Sequence, residues 1–436
     1  MFKYKNYVHF DFRKTPKSIE NIIKNPEIVT RHGFFPFLRF DMNLNKYKRS
    51  NGNDHKIVID KVRNIYYASH IDRYIYQYYA AILNDKYNEY ATMHGFSDVA
   101  LAYRNCKNGK CNIDFAKEVF EFIINANKSY IYVGDFSHFF DNLDHKLLKK
   151  MIQKVQGTNN LSSDEYAVYK SITKYAYIKL ETIKDDKKMS YGELKKLPKL
   201  FTNEGFHKLK KKKSVHVNTN KYGIPQGSSI SAIYANVYMI DFDEIMNRYV
   251  SDLGGIYRRY SDDIIAVIPV QSPQQLGKID EEFTAYVNKN IENLSRVDIN
   301  PDKTEKYKFL EGKMLEFLGG ASTKLQYLGF SFDGYYVAIR ESSLQRFYAK
   351  AYKKIKRIQL PQFAKGFPAG KRAVYKGFTH LGAKISRSSV GGCHYGNFLT
   401  YAYKADKIFS SSIYLESKIR QQVKRHWPRI VKRLKK

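Results

Sequence analysis

The sequence predicts a mixed α/β fold, in which a sheet with helices lies between an α-rich N-terminal part and a basic, helical C-terminal part. Runs rich in β-branched and aromatic residues lie in the middle of the chain, and apolar residues recur at helical spacing before and after them. The 436 residues are 43% hydrophobic and 15% aromatic, so the chain can bury a sizeable core. This composition excludes a wholly disordered protein.

The first half of the chain is predicted to contain helices and one strand. Three segments show apolar residues at helical spacing: residues 68–92, 114–127 and 145–155. Asp114 is the expected N-cap of the second helix, and Asp141 and Asp144 are expected caps at the start of the third. Between these two helices, residues 130–133 form a short β-rich run that leads to Asp135.

Turns and β-rich runs follow in the second half of the chain. Residues 218–227 contain two glycines and a proline and are predicted as a turn region. Ser228 or Ser229 then caps a long helix that reaches about Tyr249. Two β-hairpins are predicted after this helix, over residues 255–269 and residues 327–339.

The net charge of +33 predicts a polyanionic partner. Nucleic acid is the first candidate and an anionic membrane surface the second. The membrane interpretation is weak, because no run approaches about 18 apolar residues and the first residues lack the apolar stretch of a signal peptide. Three cysteines cannot build a disulfide framework, so we expect a cytoplasmic protein.

The positive charge is concentrated in residues 340–436, which contain 24 Lys or Arg and three acidic residues and thus carry +21 of the total. Five basic residues there recur at helical spacing, and two more lie near the C-terminal end: Arg346, Lys350, Lys353, Lys354 and Arg357, then Lys424 and Arg425. A single basic helix would be as consistent with a solvated face as with a binding surface, but this much charge in one segment favours phosphate contacts. A Lys-rich segment from about 182 to 220 lacks periodicity and is predicted as an exposed insertion, solvated or in contact with phosphate.

Three carboxylates stand out in this basic chain: Asp135 at the end of a strand, and Asp262 and Asp263 at the tip of a hairpin. They would repel phosphate unless a cation lies between them, and hard oxygen ligands are those that Mg²⁺ prefers. Pairs of such ions catalyse phosphoryl transfer. The alternative is that Asp262 and Asp263 are only turn formers, since Asp favours turns.

The motifs around these carboxylates resemble those of reverse transcriptases. Motifs A, B and C correspond to YVGDFSHFFDNLDH (132–145), YGIPQGSSISAIYANVYM (222–239) and YRRYSDD (257–263). INPDKTEKY (299–307) is similar to motif D and LQYLGF (325–330) to motif E, and residues 56–79 and 100–104 resemble the fingers motifs of bacterial enzymes. Seven ordered blocks are far more specific than the YSDD tetrad alone.

Among bacterial enzymes, ASHIDRYIYQYY and the short basic C-terminus look most similar to the defence-associated "unknown group", of the stand-alone antiphage type that works with a small non-coding RNA. Retron and group II intron enzymes are more distantly similar, because their characteristic later blocks are not recognisable. The resemblance implies a right-hand polymerase fold with three parts: an N-terminal extension and fingers (1–128), a palm with motifs A–E (129–339), and a basic α-helical thumb with a C-terminal RNA-binding segment (340–436).

The resemblance implies an RNA-directed DNA polymerase, in which a primer 3′-hydroxyl attacks the α-phosphate of a dNTP. Asp135 and Asp262 would bridge two Mg²⁺ ions, for which Mn²⁺ can substitute. The backbone carbonyl of Phe136 would be a further ligand, and Asp263 a less direct third carboxylate. Lys303 would donate a proton to the leaving pyrophosphate, the alternative being a surface lysine.

The remaining implied assignments concern the nucleotide and the nucleic acid. Lys56 and Arg63 would reach the triphosphate and the incoming base from the fingers. Phe140 would be the steric gate that excludes a 2′-hydroxyl, the alternative being a core Phe. Gln226 and Gly227 would lie beside the nascent base pair. Contacts to primer, template or RNA are assigned to Tyr260, Leu328 and Gly329 and to the seven basic residues of the C-terminal part.

The expected partners are a template RNA, the DNA product and dNTPs, and the oligomeric state stays open. Two other functions remain as alternatives. The same site could prime on a protein hydroxyl or work without a template, or the chain could be a catalytically silent RNA-binding scaffold or toxin. The intact Asp135, Asp262 and Asp263 disfavour the scaffold. An RNA-dependent RNA polymerase is disfavoured by Phe140 and by YSDD in place of GDD.

Overall fold

The computed structural model of the chain describes residues 4–50, 53–107, 109–211, 214–361, 367–379 and 396–435. The predicted mixed α/β class is confirmed, because strands in three sheets alternate with helices. The N-terminal part contains, in order, α1 (Glu20–Ile23), α2 (Pro26–Arg31), β1 (Phe37–Ser50), β2 (Asn53–Tyr67), α3 (His70–Met93) and α4 (Asn112–Ala126).

The middle of the chain holds most of the strands. In order, its elements are β3 (Lys128–Asp135), α5 (Phe139–Asn142), α6 (His145–Gln156), α7 (Ser163–Thr173), β4 (Ala176–Lys179), α8 (Leu180–Lys187), α9 (Tyr191–Leu194), α10 (Asn203–Lys211), β5 (His216–Val217), α11 (Ser229–Tyr238), α12 (Ile240–Asp252), β6 (Ile256–Tyr260), β7 (Asp263–Pro269), α13 (Gln275–Ile291), β8 (Glu305–Leu310), β9 (Lys313–Glu316), β10 (Leu325–Tyr327), β11 (Phe330–Phe332) and β12 (Tyr336–Ile339).

The C-terminal part is mainly helical, as predicted. Its elements are α14 (Glu341–Ile358), α15 (Phe367–Phe378), α16 (Phe398–Phe409), β13 (Glu416–Ser417), α17 (Ile419–Val423) and α18 (His426–Leu434). Short 3-10 helices lie elsewhere in the chain, at Lys17–Ile19, Glu292–Leu294 and Pro301–Lys303. Throughout the described ranges, we find no helix that is both long and apolar enough to cross a membrane.

The central sheet is antiparallel and has five strands in the order β6-β7-β3-β8-β9. Successive side chains of a strand point to opposite faces. Tyr130 and Tyr132 of β3 therefore pack into a core shared with α11 and α12, whereas Ile131 packs into a second core shared with α4 and α14. Because both faces of this sheet are covered, residues of the sheet that bind a ligand have to lie at the ends of its strands.

The two other sheets flank the central one. The first has the order β2-β1-β4-β5, in which β1 and β2 form a long antiparallel ribbon and β1 pairs in parallel with β4. The second has the order β10-β11-β12-β13. The predicted hairpins are confirmed as β6–β7 and β11–β12, and the predicted helices correspond to α3, α4 and α6.

Two predicted helix caps are wrong. Cys111 is the N-cap of α4, and Asp114 lies at the third helical position, where its carboxylate accepts a hydrogen bond from the Cys111 backbone N–H at 2.9 Å. In this arrangement, called a capping box, the N-cap residue and the third helical residue bond each other's backbone. Acidic residues occur at both positions, so the sequence alone does not show which of the two Asp114 occupies. Asp141 lies inside α5, whereas Asp144 does cap α6 and accepts from the Leu147 backbone N–H at 2.8 Å.

The predicted long helix up to about Tyr249 is two helices. Helix α11 ends at Tyr238, Met239 has a ψ of 3°, and α12 begins at Ile240. Val237, Tyr238, Met239 and Ile240 at the break are all buried and hydrophobic, so periodicity could not reveal it.

The segment from 182 to 220 is exposed over much of its length, as predicted, but it also forms helices that are anchored in the protein by a few buried apolar side chains, which the prediction did not include. Leu194, Leu200 and Leu209 are buried in a third core, together with Val8 and Phe10 near the N-terminus. The apolar partners of this segment are remote in sequence, so its own composition suggested only a polar loop.

Helix α14 is amphipathic. It buries Leu344, Phe347 and Ala351, and it exposes most of the basic residues predicted to share one side. The exception is Lys354, which is half-buried and donates a hydrogen bond from Nζ to the Ala373 carbonyl at 3.3 Å. The helix thus presents a basic face on an apolar support.

Candidate active site

The three predicted carboxylates lie at the ends of adjacent strands. Asp135 is the last residue of β3, and it is paired in register with Asp263, the first residue of β7. The Phe136 backbone N–H donates to the Asp262 carbonyl at 2.9 Å. Antiparallel pairing of motifs A and C therefore brings together residues that are more than a hundred positions apart.

Mutual repulsion marks this group of carboxylates. Burial, followed by the charges of Asp262 and Asp135, raises the pKa of Asp263 from 3.8 to about 7, while Arg340 and Lys303 act in the opposite direction. The Lys303 ammonium forms an ion pair with the Asp135 carboxylate. The site therefore holds excess negative charge that a cation would neutralise.

A cavity of about 150 Å³ opens beside these carboxylates. Seven of the residues predicted from the sequence line it: Arg63, Asp135, Phe136, Phe140, Gln226, Asp262 and Lys303. The structure thus brings the predicted metal, fingers, gate and motif B and D residues to one place. Their individual roles stay predictions.

The turn of motif B packs directly against strand β2. The Tyr66 backbone N–H donates to the Gln226 carbonyl at 2.9 Å. Gly227 has a φ of +121°, and a Cβ atom there would lie 2.4 Å from the Tyr66 carbonyl oxygen. Only glycine allows this close approach of the two backbones.

Phe140 lies in the short helix α5, half-buried between the cavity and the protein interior. Its carbonyl accepts a hydrogen bond from the Ile224 backbone N–H at 2.9 Å, and its ring packs edge-on against Phe139. Its backbone is therefore held on motif B while its side chain lines the cavity. The ring thus lines the cavity and also packs against the main core, and the gate stays a prediction.

Several predicted contacts lie outside this cavity. Leu328 and Gly329 form the two-residue turn between β10 and β11, with φ values of +46° and +92°. Tyr260 is half-buried at the end of β6. Lys56 lies in β2 opposite Arg49, but its side chain is outside the described part of the structure. The basic residues of α14, and the exposed Lys424 and Arg425, lie in the C-terminal helical part.

A larger groove of about 1110 Å³ adjoins the cavity and shares Phe140 and Gln226 with it. Its walls come from α3, α8, α11 and the N-terminal segment, and they are rich in aromatic residues. Tyr103 stands at this groove with a φ of +63° and a half-exposed ring, and Asn84 donates to its carbonyl at 2.8 Å. Tyr103 lies in the ALAYR block, but no role was predicted for it.

Asn300 was also missed as a site residue. Its backbone N–H donates to the Asp135 carbonyl at 2.8 Å, and its side chain lines the cavity. Motif D is thereby attached to motif A. The sequence signal was the Asn-Pro pair before Lys303, which is typical of a turn.

The donor set suits a hard divalent cation, since it consists of carboxylates and the Phe136 carbonyl. Over the residues that the structure describes, no three His, Cys, Asp or Glu side chains are grouped closely enough to hold one ion between them. Asp135 is instead paired with Lys303. Asp135 and Asp262 line one cavity, and Asp263 is paired in register with Asp135; this grouping of carboxylates is the observation that favours a bound cation.

Acidic strand ends, a half-buried aromatic ring and a glycine turn around one cavity define the class of the template-directed nucleotide polymerases with a right-hand fold. Residues 51–332 match the family described as "Reverse transcriptase (RNA-dependent DNA polymerase)", and the chain belongs to this family. Members of the family use divalent metal ions. No curated protein matches the chain.

Solved structures of telomerase are among those similar to this chain. The truncated apo telomerase from Candida tropicalis is 14% identical, with a TM-score of 0.42, and the match covers 76% of this chain and 61% of that one. Telomerase from Candida albicans, in complex with a fragment of telomeric RNA, is 12% identical, with a TM-score of 0.40, and the match covers 96% of this chain and 66% of that one. The chain thus spans less than two thirds of the length of either telomerase.

Proposed function

We propose that this chain is an RNA-directed DNA polymerase that makes cDNA from an associated structured non-coding RNA, as part of bacterial antiphage defence in the cytoplasm. One observation carries the polymerase assignment. The carboxylates of Asp135 and Asp262 share a cavity with Phe140, Arg63 and Gln226. Together these five residues come from four different segments of the chain.

In this proposal, Asp135, Asp262 and Asp263, with the Phe136 carbonyl, hold two Mg²⁺ ions, and Mn²⁺ can substitute for them. When bound, the ions neutralise phosphate charge and lower the pKa of the primer 3′-hydroxyl. Lys303, which contacts Asp135, is in reach of the same site and donates a proton to the departing pyrophosphate.

The other cavity residues position the nucleotide. Arg63 pairs with the triphosphate, because guanidinium groups match phosphate geometry. The Phe140 ring lies under the sugar and leaves no room for a 2′-hydroxyl. Gln226 contacts the sugar or the template backbone without reading sequence.

The aromatic groove supplies the path of the template strand, and the basic face of α14 supplies the contacts to duplex and folded RNA. The groove meets the cavity at Phe140 and Gln226, which is where template and nucleotide have to pair. Aromatic side chains such as Tyr103 stack on bases irrespective of sequence, while Lys and Arg hold phosphates.

The defence role and the non-coding RNA rest on the resemblance to the stand-alone "unknown group" enzymes, together with the +21 charge of residues 340–436. A structured RNA offers phosphates along several directions, and a large basic segment is suited to it. Expression of the chain with its neighbouring non-coding RNA in a phage-sensitive host tests this role. We expect protection that is lost in Asp262→Ala; protection that persists in Asp262→Ala would support the scaffold instead.

Incorporation of labelled dNTPs by the purified chain, with its co-purifying RNA and Mg²⁺, tests the catalytic assignment. We expect a product that requires both the RNA and Asp262. Asp252→Ala is the matched control, because Asp252 is exposed at the end of α12, away from the cavity. A product that needs Asp262 but survives RNase treatment would favour priming on a protein hydroxyl or untemplated synthesis. No product in any reaction would overturn the polymerase assignment.

A further inference from the structure

A fully buried ion pair lies directly beneath the hairpin that carries Asp262 and Asp263. Arg259 in β6 and Asp243 in α12 are both completely shielded from solvent. The Arg259 Nη2 atom lies 2.6 Å from Asp243 Oδ2, and Nε donates to the same carboxylate at 2.8 Å. This fork-like pairing holds the guanidinium in one orientation.

The remaining donor of the guanidinium reaches the catalytic turn. Arg259 Nη1 donates to the Ser261 carbonyl at 3.0 Å and to Asn236 Oδ1 at 3.2 Å. Ser261 precedes the two carboxylates, and its φ of +63° is a left-handed conformation that non-glycine residues adopt only when the surroundings support it. The hydrogen bond from Arg259 is such a support.

The same network ties the hairpin to two other segments. The Arg259 backbone N–H donates to the Val99 carbonyl at 2.8 Å, and its carbonyl accepts from Leu101 N at 2.9 Å. Asn236 of motif B donates from Nδ2 to the Ala102 carbonyl at 2.9 Å. The turn is therefore held relative to motif B, α12 and the segment that leads to Tyr103.

We propose that Arg259, oriented by Asp243, is a positioning residue that fixes the Ser261 turn and thereby the direction of Asp262 and Asp263. Stability alone does not account for the pair, since apolar residues of similar volume stabilise a core as well as a buried ion pair does. A single apolar side chain could not, however, hold the Ser261 carbonyl. The inference rests on the proposed polymerase function, gives a role to Arg259 of motif C, and adds Asp243, which lies outside the motifs.

The test compares Arg259→Lys with Arg258→Lys. Lysine at 259 can keep its charge beside Asp243 but lacks the second arm that reaches the Ser261 carbonyl. Arg258 is the matched control, because it precedes Arg259 in the same strand and points to the other side of the sheet. Its Nη2 atom lies 2.6 Å from Glu118 Oε1. Misplaced carboxylates weaken catalysis and metal binding more than they weaken nucleotide binding.

For Arg259→Lys we expect kcat to fall about tenfold or more, a higher Mg²⁺ concentration for half-maximal rate, and little change in KM for dNTP. Tm is a second readout, which does not depend on activity: on addition of Mg²⁺ it should rise less in Arg259→Lys than in the wild type. Asp243→Asn should act in the same direction, because the guanidinium loses its charged partner. Ser261→Gly in the Arg259→Lys background should restore part of the Mg²⁺ response, since glycine adopts the left-handed turn without cost.

Unchanged Mg²⁺ dependence in a folded Arg259→Lys, or the same change in Arg258→Lys, would overturn the proposal. Failure of the 259 and 243 variants to fold, including the neutral pair Arg259→Gln with Asp243→Asn, would reduce the ion pair to a stabilising element and also overturn it. If the wild-type chain itself incorporated no dNTP, the proposed function would fail. The Mg²⁺-dependent Tm of wild type and variants would still decide the positioning role.

Discussion

Asp135 and Asp263 face each other in the antiparallel register of β3 and β7, and this pairing brings motif A and motif C to one edge of the central sheet. Burial, followed by the charges of Asp262 and Asp135, raises the pKa of Asp263 to about 7. Such an arrangement costs folding free energy unless a cation is present. Function and stability should therefore respond in opposite directions to the loss of one carboxylate.

Asp262→Asn should abolish dNTP incorporation and raise Tm in metal-free buffer. The variant removes a proposed metal ligand and, at the same time, a like charge beside Asp263. We expect a loss of about 10³-fold or more, typical of removing a group that acts on the transition state. Primer extension and thermal unfolding in EDTA measure both effects. A Tm in metal-free buffer that is lower for Asp262→Asn than for the wild type would contradict the electrostatic explanation.

Phe140→Ala should let the enzyme accept NTPs, because removal of the ring opens space in the cavity beside Asp135. The ratio of kcat/KM for dNTP to that for NTP should fall about tenfold or more, which corresponds to about 1.4 kcal/mol of lost discrimination. Phe140→Tyr keeps the ring and should keep the ratio. If both variants discriminate as the wild type does, Phe140 is only a packing residue.

Gly227→Ala should destabilise the fold and inactivate the enzyme. A Cβ atom would lie 2.4 Å from the Tyr66 carbonyl, and the φ of +121° is unfavourable for alanine. We expect a cost of about 1–3 kcal/mol in unfolding free energy. Gly277→Ala in α13 is the matched control, because nothing lies within 4 Å of its would-be Cβ, and it should stabilise by about 0.5–1 kcal/mol. Urea denaturation distinguishes the two substitutions.

His9 should make the fold sensitive to acid. Its Nδ1 accepts from the Phe10 backbone N–H at 2.9 Å, so Nε2 carries the proton and donates to the Tyr67 carbonyl at 3.2 Å. Burial lowers the pKa of His9 from 6.5 to about 3, so the unfolded chain binds a proton that the folded chain does not bind. Stability contributed by the neutral ring is thus complete above pH about 6.5 and falls as the pH drops toward 3.

The pH experiment compares His9→Asn with the wild type. The variant should be less stable at pH 7, and the difference in unfolding free energy should shrink by about a few kcal/mol between pH 7 and pH 4. His207→Asn, at an exposed position of α10, is the control and should leave the pH profile unchanged. A constant difference between wild type and His9→Asn across this range would contradict the prediction.

Lys350→Gln with Lys353→Gln should weaken RNA binding and reduce its dependence on salt. Both side chains are exposed on the basic face of α14. Each lost phosphate contact lowers the slope of log K against log salt by about 0.7–0.9. Lys278→Gln with Lys289→Gln removes equal charge from α13 and should leave the slope nearly unchanged. Equal slopes for the two double variants would mean that only net charge matters.

Much of the site could be predicted because its residues lie in short local patterns. A β-rich run that ends at Asp135, a hairpin around Asp262 and a Pro-Gln-Gly turn are each encoded by neighbours a few positions apart. The amphipathic spacing of α14 likewise predicted its basic face. The order of the motifs then indicated the family, which residues 51–332 match.

Tertiary structure alone decided which distant residues meet. The buried leucines of residues 182–220 depend on Val8 and Phe10, so the segment looked like a polar insertion without them. The pairing of Arg259 with Asp243, and its reach to Ser261, depends on how α12 packs against β6 after the break at Met239. Sequence patterns report the periodicity of one segment, whereas the burial of a charge and the strain of a turn depend on atoms that only the packed chain brings within hydrogen-bonding distance.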